Sequence, residues 1–222
     1  MRNKQRVVIL GAGGLARETY WVFRDSNKTT ARQWDVVGFI DDDQANLGKN
    51  LCGITVLGDF RWFKKASVNG LKVVCAVGSP EAKRHMVERA TRLGLEFCTV
   101  IHPSVQKSEY VDLGFGTVVT AGCILTTQIQ VGNHVFLNLD TTVGHDSIIE
   151  DFVNVAPGCH ISGHVTLKEG ADLGTGAVVL QGITVGQWST VGAGAVVIED
   201  VPANAVVVGV PAKVIKYNKP GE

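Results

Sequence analysis

From Leu113 to Val197 every sixth residue is Leu, Val or Ile, a run of fifteen positions without one insertion. A second set, uncharged and mostly small, stands two residues before each member, as at Cys123, Thr141, Cys159 and Ala177. A helix repeats its apolar face every 3.6 residues and a strand every two, so neither produces a strict six. A solenoid does, because short strands alternate with turns and each inward aliphatic stacks on its equivalents in neighbouring coils. Gly114, Gly132, Gly144, Gly174, Gly186 and Gly192 each follow a repeat aliphatic directly. They read as tight corners, where a side chain or a negative φ would be awkward. The alternative is a β-sandwich with coincidental spacing, but loops of varied length would break the count.

The first hundred or so residues read differently. RVVIL (6–10) predicts a strand, followed by the turn Gly11-Ala12-Gly13-Gly14 and a helix to about Asp25. Gly11, Gly13 and Ala16 occupy the G-x-G-x-x-A positions that let backbone amides approach phosphates. A second strand, VVGFI, runs into Asp41-Asp42-Asp43, where a carboxylate can accept from a ribose or a base. Strands over 71–77 and 96–101 and a helix over 80–92 complete a small parallel α/β domain. The turn fits a nicotinamide dinucleotide, another nucleotide diphosphate, or helix–strand packing alone. A full six-stranded dinucleotide fold needs more chain than this segment offers, so the expectation is half a site, for a mononucleotide. Gly11, Gly13, Gly14, Asp41, Asp42 and Gly78 form the expected substrate-binding set.

Charge follows the same division. Residues 1–104 carry 16 basic and 10 acidic side chains, 105–201 carry 2 and 10, and 202–222 carry 3 and 1. A basic front suits an anionic small molecule, and an acidic remainder argues against nucleic acid. No apolar run approaches the roughly 20 residues of a membrane helix, and the N-terminus leads into a glycine turn, not a signal-peptide cleavage site. A cytoplasmic protein without membrane insertion is expected. Five scattered cysteines with no Cys-x-x-Cys predict small core residues, neither a disulfide framework nor a local zinc site.

Val-Gly-Asn-His, Val-Gly-His-Asp, Leu-Gly-Thr-Gly, Val-Gly-Gln-Trp and Val-Gly-Ala-Gly resemble the hexapeptide repeats of left-handed β-helix acyltransferases, and Gly209-Val210-Pro211-Ala212-Lys213 resembles the segment that follows their last coil. In that family three hexads make one coil of a triangular prism, chains form homotrimers, and acyl-coenzyme A lies between neighbouring prisms. The left hand comes from this resemblance, since ordinary crossovers favour the right. With its glycine-turn front joined through Ile101-His102-Pro103-Ser104, nearly the whole chain resembles the nucleotide-sugar N-acetyltransferases of bacterial surface-glycan and sialic-acid pathways. The resemblance implies a Rossmann-like α/β domain over 1–104 that binds a nucleotide-linked amino sugar, an all-β left-handed parallel β-helix over 105–201 that binds acetyl-coenzyme A, and a tail or cap over 202–222. Many family members have His where Leu15 stands here.

With three hexads per coil, residues 18 apart stack roughly 4.8 Å apart along the axis. Gly163 then lies against His145, and His164 against Asp146. Transfer of an acetyl group to an amine needs a base, an oxyanion donor and alignment of both reactants. His145 supplies an imidazole, a side chain that titrates near working pH when unperturbed; Asp146 orients it, and the bare amide of Gly163 faces the oxyanion. The resemblance places the same roles on these residues. Asn138, one prism side earlier, joins them as a catalytic candidate, and Gly163, Gly174, Gly192 and Lys213 are the cofactor-binding candidates. Lys213, Lys216 and Lys219 are expected to neutralise coenzyme A phosphates. The second histidine that family members often carry nine residues on is replaced by Asn154.

His85 is expected on a helix surface, His102 at the domain junction, and His134, His160 and His164 in solvent. Their alternative use, with His145, as an intersubunit zinc site like that of prism-shaped carbonic anhydrases is disfavoured by their spacing, so no metal is expected. The remaining alternatives are O-acetylation of a sugar hydroxyl and a non-catalytic sugar-nucleotide sensor.

Overall fold

The computed structural model describes residues 4–29 and 33–218. Lys219 lies outside them. The chain divides into two compact units, Met1–Gly78 with Ala82–Pro103, and Ser79–Glu81 with Ser104–Glu222.

In the first unit β1 (Gln5–Leu10) leads through the glycine turn into α1 (Gly14–Thr29) and on to β2 (Trp34–Ile40). A hairpin of β3 (Asn50–Leu51) and β4 (Ile54–Gly58) follows, then β5 (Lys72–Cys75), α2 (Pro80–Arg92) and β6 (Glu96–Phe97). The sheet order is β3-β4-β2-β1-β5-β6. All neighbours are parallel except β3 and β4. Val7, Val8, Ile9 and Leu10 on the central β1 are fully buried, so the strand reads as a continuous apolar run. Six strands therefore fit in a segment expected to be too short for them. Two of the six have only two residues, and the β3–β4 turn replaces a helical crossover.

The second unit is a three-faced parallel β-helix. One face carries rungs at Gln106–Lys107, Ile124–Leu125, Thr142–Val143, His160–Ile161, Val178–Val179 and Val196–Val197. The next has five rungs, from Val111–Leu113 to Thr184–Val185. Partners in adjacent coils are 18 residues apart, as in Val143 with Ile161. From Val119 to Val197 every repeat aliphatic is at most 4% exposed, and the small set two residues earlier is at most 1% exposed apart from Ile183 at 9%. Each such aliphatic contributes about 1.5–3 kcal/mol by leaving water. Lys107, six residues before Leu113, already stands on a rung beside Leu125; as the end rung of its face it has a single neighbour and needs no apolar side chain. At the other end Ala205–Val208 adds to the rung Thr190–Val191 and is itself covered by the antiparallel strand Lys213–Tyr217.

The corners differ from expectation. Every sixth residue from Gly116 to Gly194 has a positive φ, among them Gln128, His134, Asp140, Asp146, Phe152, His164 and Trp188. The glycines that directly follow the repeat aliphatics, Gly144 and Gly174 among them, do not. They are required for a different reason: a Cβ on Gly144 would stand 2.5 Å from Gly163 N, and one on Gly174 would stand 2.6 Å from Ala193 N. Successive coils touch there through bare backbone, and the left-handed residue falls two positions later. At one corner aromatic stacking offsets the strain of that conformation. His134 and Phe152 stack with centroids 5.3 Å apart, and Phe115 meets His134 edge-on. His134 is thus 4% exposed and part of an aromatic column, not solvated.

Four cysteines are buried as expected, but Cys52 is exposed in the β3–β4 turn. Burial pushes the Cys75 thiol up to about 12 and the Cys123 thiol to about 11. Among the described residues no helix is long and apolar enough to cross a membrane.

Replacing glycine by Asn separates the two corner roles. Gly176, with φ +70° and nothing near its Cβ position, should accept Asn within about 0.5 kcal/mol, since Asn visits this region readily. Gly174→Asn should cost about 1–3 kcal/mol through overpacking, read as a lowered denaturant midpoint. A thiol reagent should titrate one sulfhydryl in the native protein, at Cys52, and all five after unfolding.

Candidate active site

His145 and Asp146 leave the rung Thr142–Val143 at a prism corner, and Gly163 and His164 leave the next rung at the same corner. His145 Nδ1 lies 2.7 Å from Asp146 Oδ2. An ionised carboxylate only accepts, so the proton of a neutral imidazole is on Nδ1 and the lone pair on Nε2. That nitrogen is directed at Gly163: a Cβ there would stand 2.6 Å from it. Glycine at 163 is therefore what admits the ring. Among the described residues the Gly163 N–H reaches no carbonyl, whereas its neighbour His164 N–H donates to His145 O at 2.8 Å. A free donor beside a free lone pair is the arrangement that an acyl transfer requires.

His164, exposed as expected, also belongs to this cluster. Its Nε2 stands 3.6 Å from Asp146 Oδ2, and its ring meets His145 edge-on at 5.1 Å. The signal was its 18-residue offset from Asp146. His160, by contrast, is exposed on a flat face, with Nδ1 2.9 Å from Thr142 Oγ1.

The other second-unit candidates are distributed along the prism. Asn138 is buried, and its side-chain oxygen accepts from Leu139 N at 2.8 Å and Thr120 Oγ1 at 3.4 Å, a bracing role within its own corner. Gly174 and Gly192 stand in that same column, on a different edge from His145. Lys213 lies 3.8 Å from Glu199, and Glu199 follows His145 by three coil repeats. It therefore stands on the His145 edge, roughly 14 Å along the axis. A separate depression of about 410 Å³ on a neighbouring face is walled by Glu150, Asp151 and Glu169. Its acidic lining opposes a phosphate-bearing donor.

In the first unit the glycine turn opens at the carboxyl end of β1. β2 and β5 flank β1 on opposite sides, which makes this the crevice where open α/β sheets bind ligands. Gly11 has φ +101°, while Gly13 and Gly78 have nothing within 4 Å of a Cβ position. The open Gly13-Gly14 pair stands at the head of α1, where N–H groups and the helix dipole favour an anion. Both Asp41 oxygens already accept backbone N–H groups, from Ala12 at 2.7 Å and Asp43 at 2.8 Å. Asp41 thus braces the turn. Asp42 pairs with Arg89, whose guanidinium also covers the Phe60 ring at 4.0 Å.

A cavity of about 380 Å³ adjoins Asp41, lined by Gln44, Leu57, Arg61, Trp62 and Lys65. The sequence reading missed these residues, although RWFKK at 61–65 sets three cations around aromatics. Arg61 holds the Asp59 carboxyl down at about 2, mainly through a side-chain hydrogen bond.

Residues 6–90 match the PglD N-terminal domain. The GDP-perosamine N-acetyltransferase of Escherichia coli O157:H7 is 30% identical over 213 residues, covering 94% of this chain and 95% of the relative. Among solved structures, PerB from Caulobacter crescentus in complex with coenzyme A and GDP-perosamine superposes with a TM-score of 0.87 at 30% identity, over 97% of this chain and 99% of that one. The acetyltransferase domain of PglB from Neisseria gonorrhoeae, in complex with acetyl-coenzyme A, gives 0.86 at 29% identity, over 96% and 100%. The α/β front, the left-handed β-helix and the relatedness along nearly the full length agree: this chain belongs to the nucleotide-sugar N-acetyltransferases of the hexapeptide-repeat family, enzymes that use acetyl-coenzyme A.

Proposed function

We propose that His145 is the general base of this N-acetyltransferase and that the Gly163 N–H stabilises the oxyanion. The sugar amine attacks the thioester carbonyl, its nitrogen bonding to carbon while the amine proton passes to His145 Nε2. The tetrahedral oxygen accepts from Gly163, and collapse breaks the carbon–sulfur bond; the departing thiolate takes the proton from the His145 imidazolium, which restores the neutral base. Asp146 holds Nδ1–H and stabilises the imidazolium formed on the way. The observation that carries this reading is the direct approach of His145 Nε2 to the bare Cα of Gly163.

The substrate reading assigns the nucleotide diphosphate of an amino sugar to the first unit, residues 1–104. The open amides of Gly13 and Gly14 receive the phosphates, and Arg61, Trp62 and Lys65 offer charge and a stacking face. The relative and the neighbour named with GDP-perosamine make that compound the first to test. The β-helix, 105–201, holds acetyl-coenzyme A, with Lys213 and Lys216 toward its phosphates. We assign the reaction to the cytoplasm and the assembly to a homotrimer. Ile124, Ile148, Leu180 and Ile198 stand about two-fifths exposed on the prism of the single chain, apolar area suited to neighbouring prisms.

His145→Ala should lower kcat by about 10²–10⁴ with an unchanged melting curve, measured with GDP-perosamine and acetyl-coenzyme A by chromatography of the N-acetylated product. Gly163→Ala should lose activity similarly by displacing the ring. Near-normal turnover in folded His145→Ala would remove the base assignment, and transfer only to a hydroxy-sugar analogue would replace N- by O-acetylation. Sedimentation should give three times the chain mass; a monomer at working concentration would exclude the trimer.

A further inference from the structure

The carboxylate of Asp146 faces two imidazoles from consecutive coils. One donor atom from each of His145, Asp146 and His164 lies within 4.8 Å of the others, and among the described residues no further His, Cys, Asp or Glu grouping of three does this. The backbone sets that spacing. His164 N–H bonds to His145 O across the coils, and Asp146 and His164 occupy left-handed corners at φ +59° and +57°. All three side chains are about half exposed, so a hydrated ion can reach them, and the surrounding β-helix is strongly acidic.

Two imidazole nitrogens and one carboxylate oxygen, with water in the fourth position, form a donor set that tetrahedral zinc takes. Ligand atoms at roughly 2.0–2.1 Å from zinc stand about 3.4 Å apart, so the His145–Asp146 pair at 2.7 Å has to open and the wider separations, up to 4.8 Å, have to close, shifts on the order of an ångström for exposed side chains. We propose that His145, Asp146 and His164 form a binding site for a borderline-soft divalent ion such as zinc, and that the bound ion switches acetyl transfer off. The ion here is an inhibitor and not a cofactor. The second half rests on the proposed base role of His145. A metal on Nε2 occupies the lone pair that takes the amine proton, and a metal on Nδ1 shifts the imidazole proton to Nε2, so that in either case no base remains.

Zinc itself is the probe, titrated into the full chain without substrates against a chromophoric chelator. One zinc per chain is expected, retained in Cys52→Ser, which removes the exposed thiol. Asp146→Asn and His164→Asn should each weaken binding at least about tenfold, as loss of one ligand does. Asn tolerates the left-handed corners, and circular dichroism and melting confirm the fold. Binding that is absent, or unchanged in both variants, overturns the site whatever the enzyme's substrate. In a second arm, product formation by the wild-type chain is followed chromatographically at rising zinc, since free coenzyme A thiol binds zinc itself. Turnover should fall in proportion to occupancy measured under the same conditions and return with chelator. Full activity with zinc bound at these residues would overturn the inhibition and count against His145 as the base, while loss of activity that does not follow occupancy would overturn the switch alone.

Discussion

Everything in the second unit depends on bare backbone meeting bare backbone between coils. Where a Cβ would stand 2.5 Å from the next coil, as at Gly144, the coils close to ladder distance and the hydrogen bonds from Gly144 N to Ile161 O and from Thr142 N to Cys159 O form at 2.8 and 3.0 Å. The same closeness makes an 18-residue separation in sequence a direct neighbour in space. The His145–Gly163 pair is therefore a product of coil geometry and not of any local turn, and its precision comes from a ladder that runs the length of the prism.

The fold was legible in the sequence because its strongest requirement is positional: an inward slot accepts only an aliphatic, and the slot recurs at a fixed interval. Site geometry was legible for the same reason once three hexads per coil were assumed. The corner conformation was not. Glycine is the conspicuous turn residue, yet the left-handed positions are filled by residues as unlike as Gln128, Phe152 and Trp188, whose cost is offset by neighbours that a sequence does not display. Trp188 packs over Gly170, where a Cβ would be 2.2 Å from the indole.

In the first unit the glycine turn was recognisable, but the carboxylate roles were not. An acidic residue after the second strand invites a ribose assignment, whereas Asp41 faces inward to the turn and satisfies Ala12 and Asp43 N–H groups. It preserves the shape in which the Gly13 and Gly14 amides stay open. The charged, aromatic wall from Arg61 to Lys65 was hidden because it belongs to a short 3₁₀ segment, Phe60–Lys64, with no periodic pattern to mark it.

A parallel coil has no natural last rung, because each edge presents the same unpaired N–H and C=O groups to whatever arrives next. Here the C-terminal edge meets Lys213–Tyr217 running in the opposite direction, a strand that carries Lys213 and Lys216 and leaves the parallel register unavailable. Reversal of direction in a single strand thus closes that face of the prism to a further parallel rung.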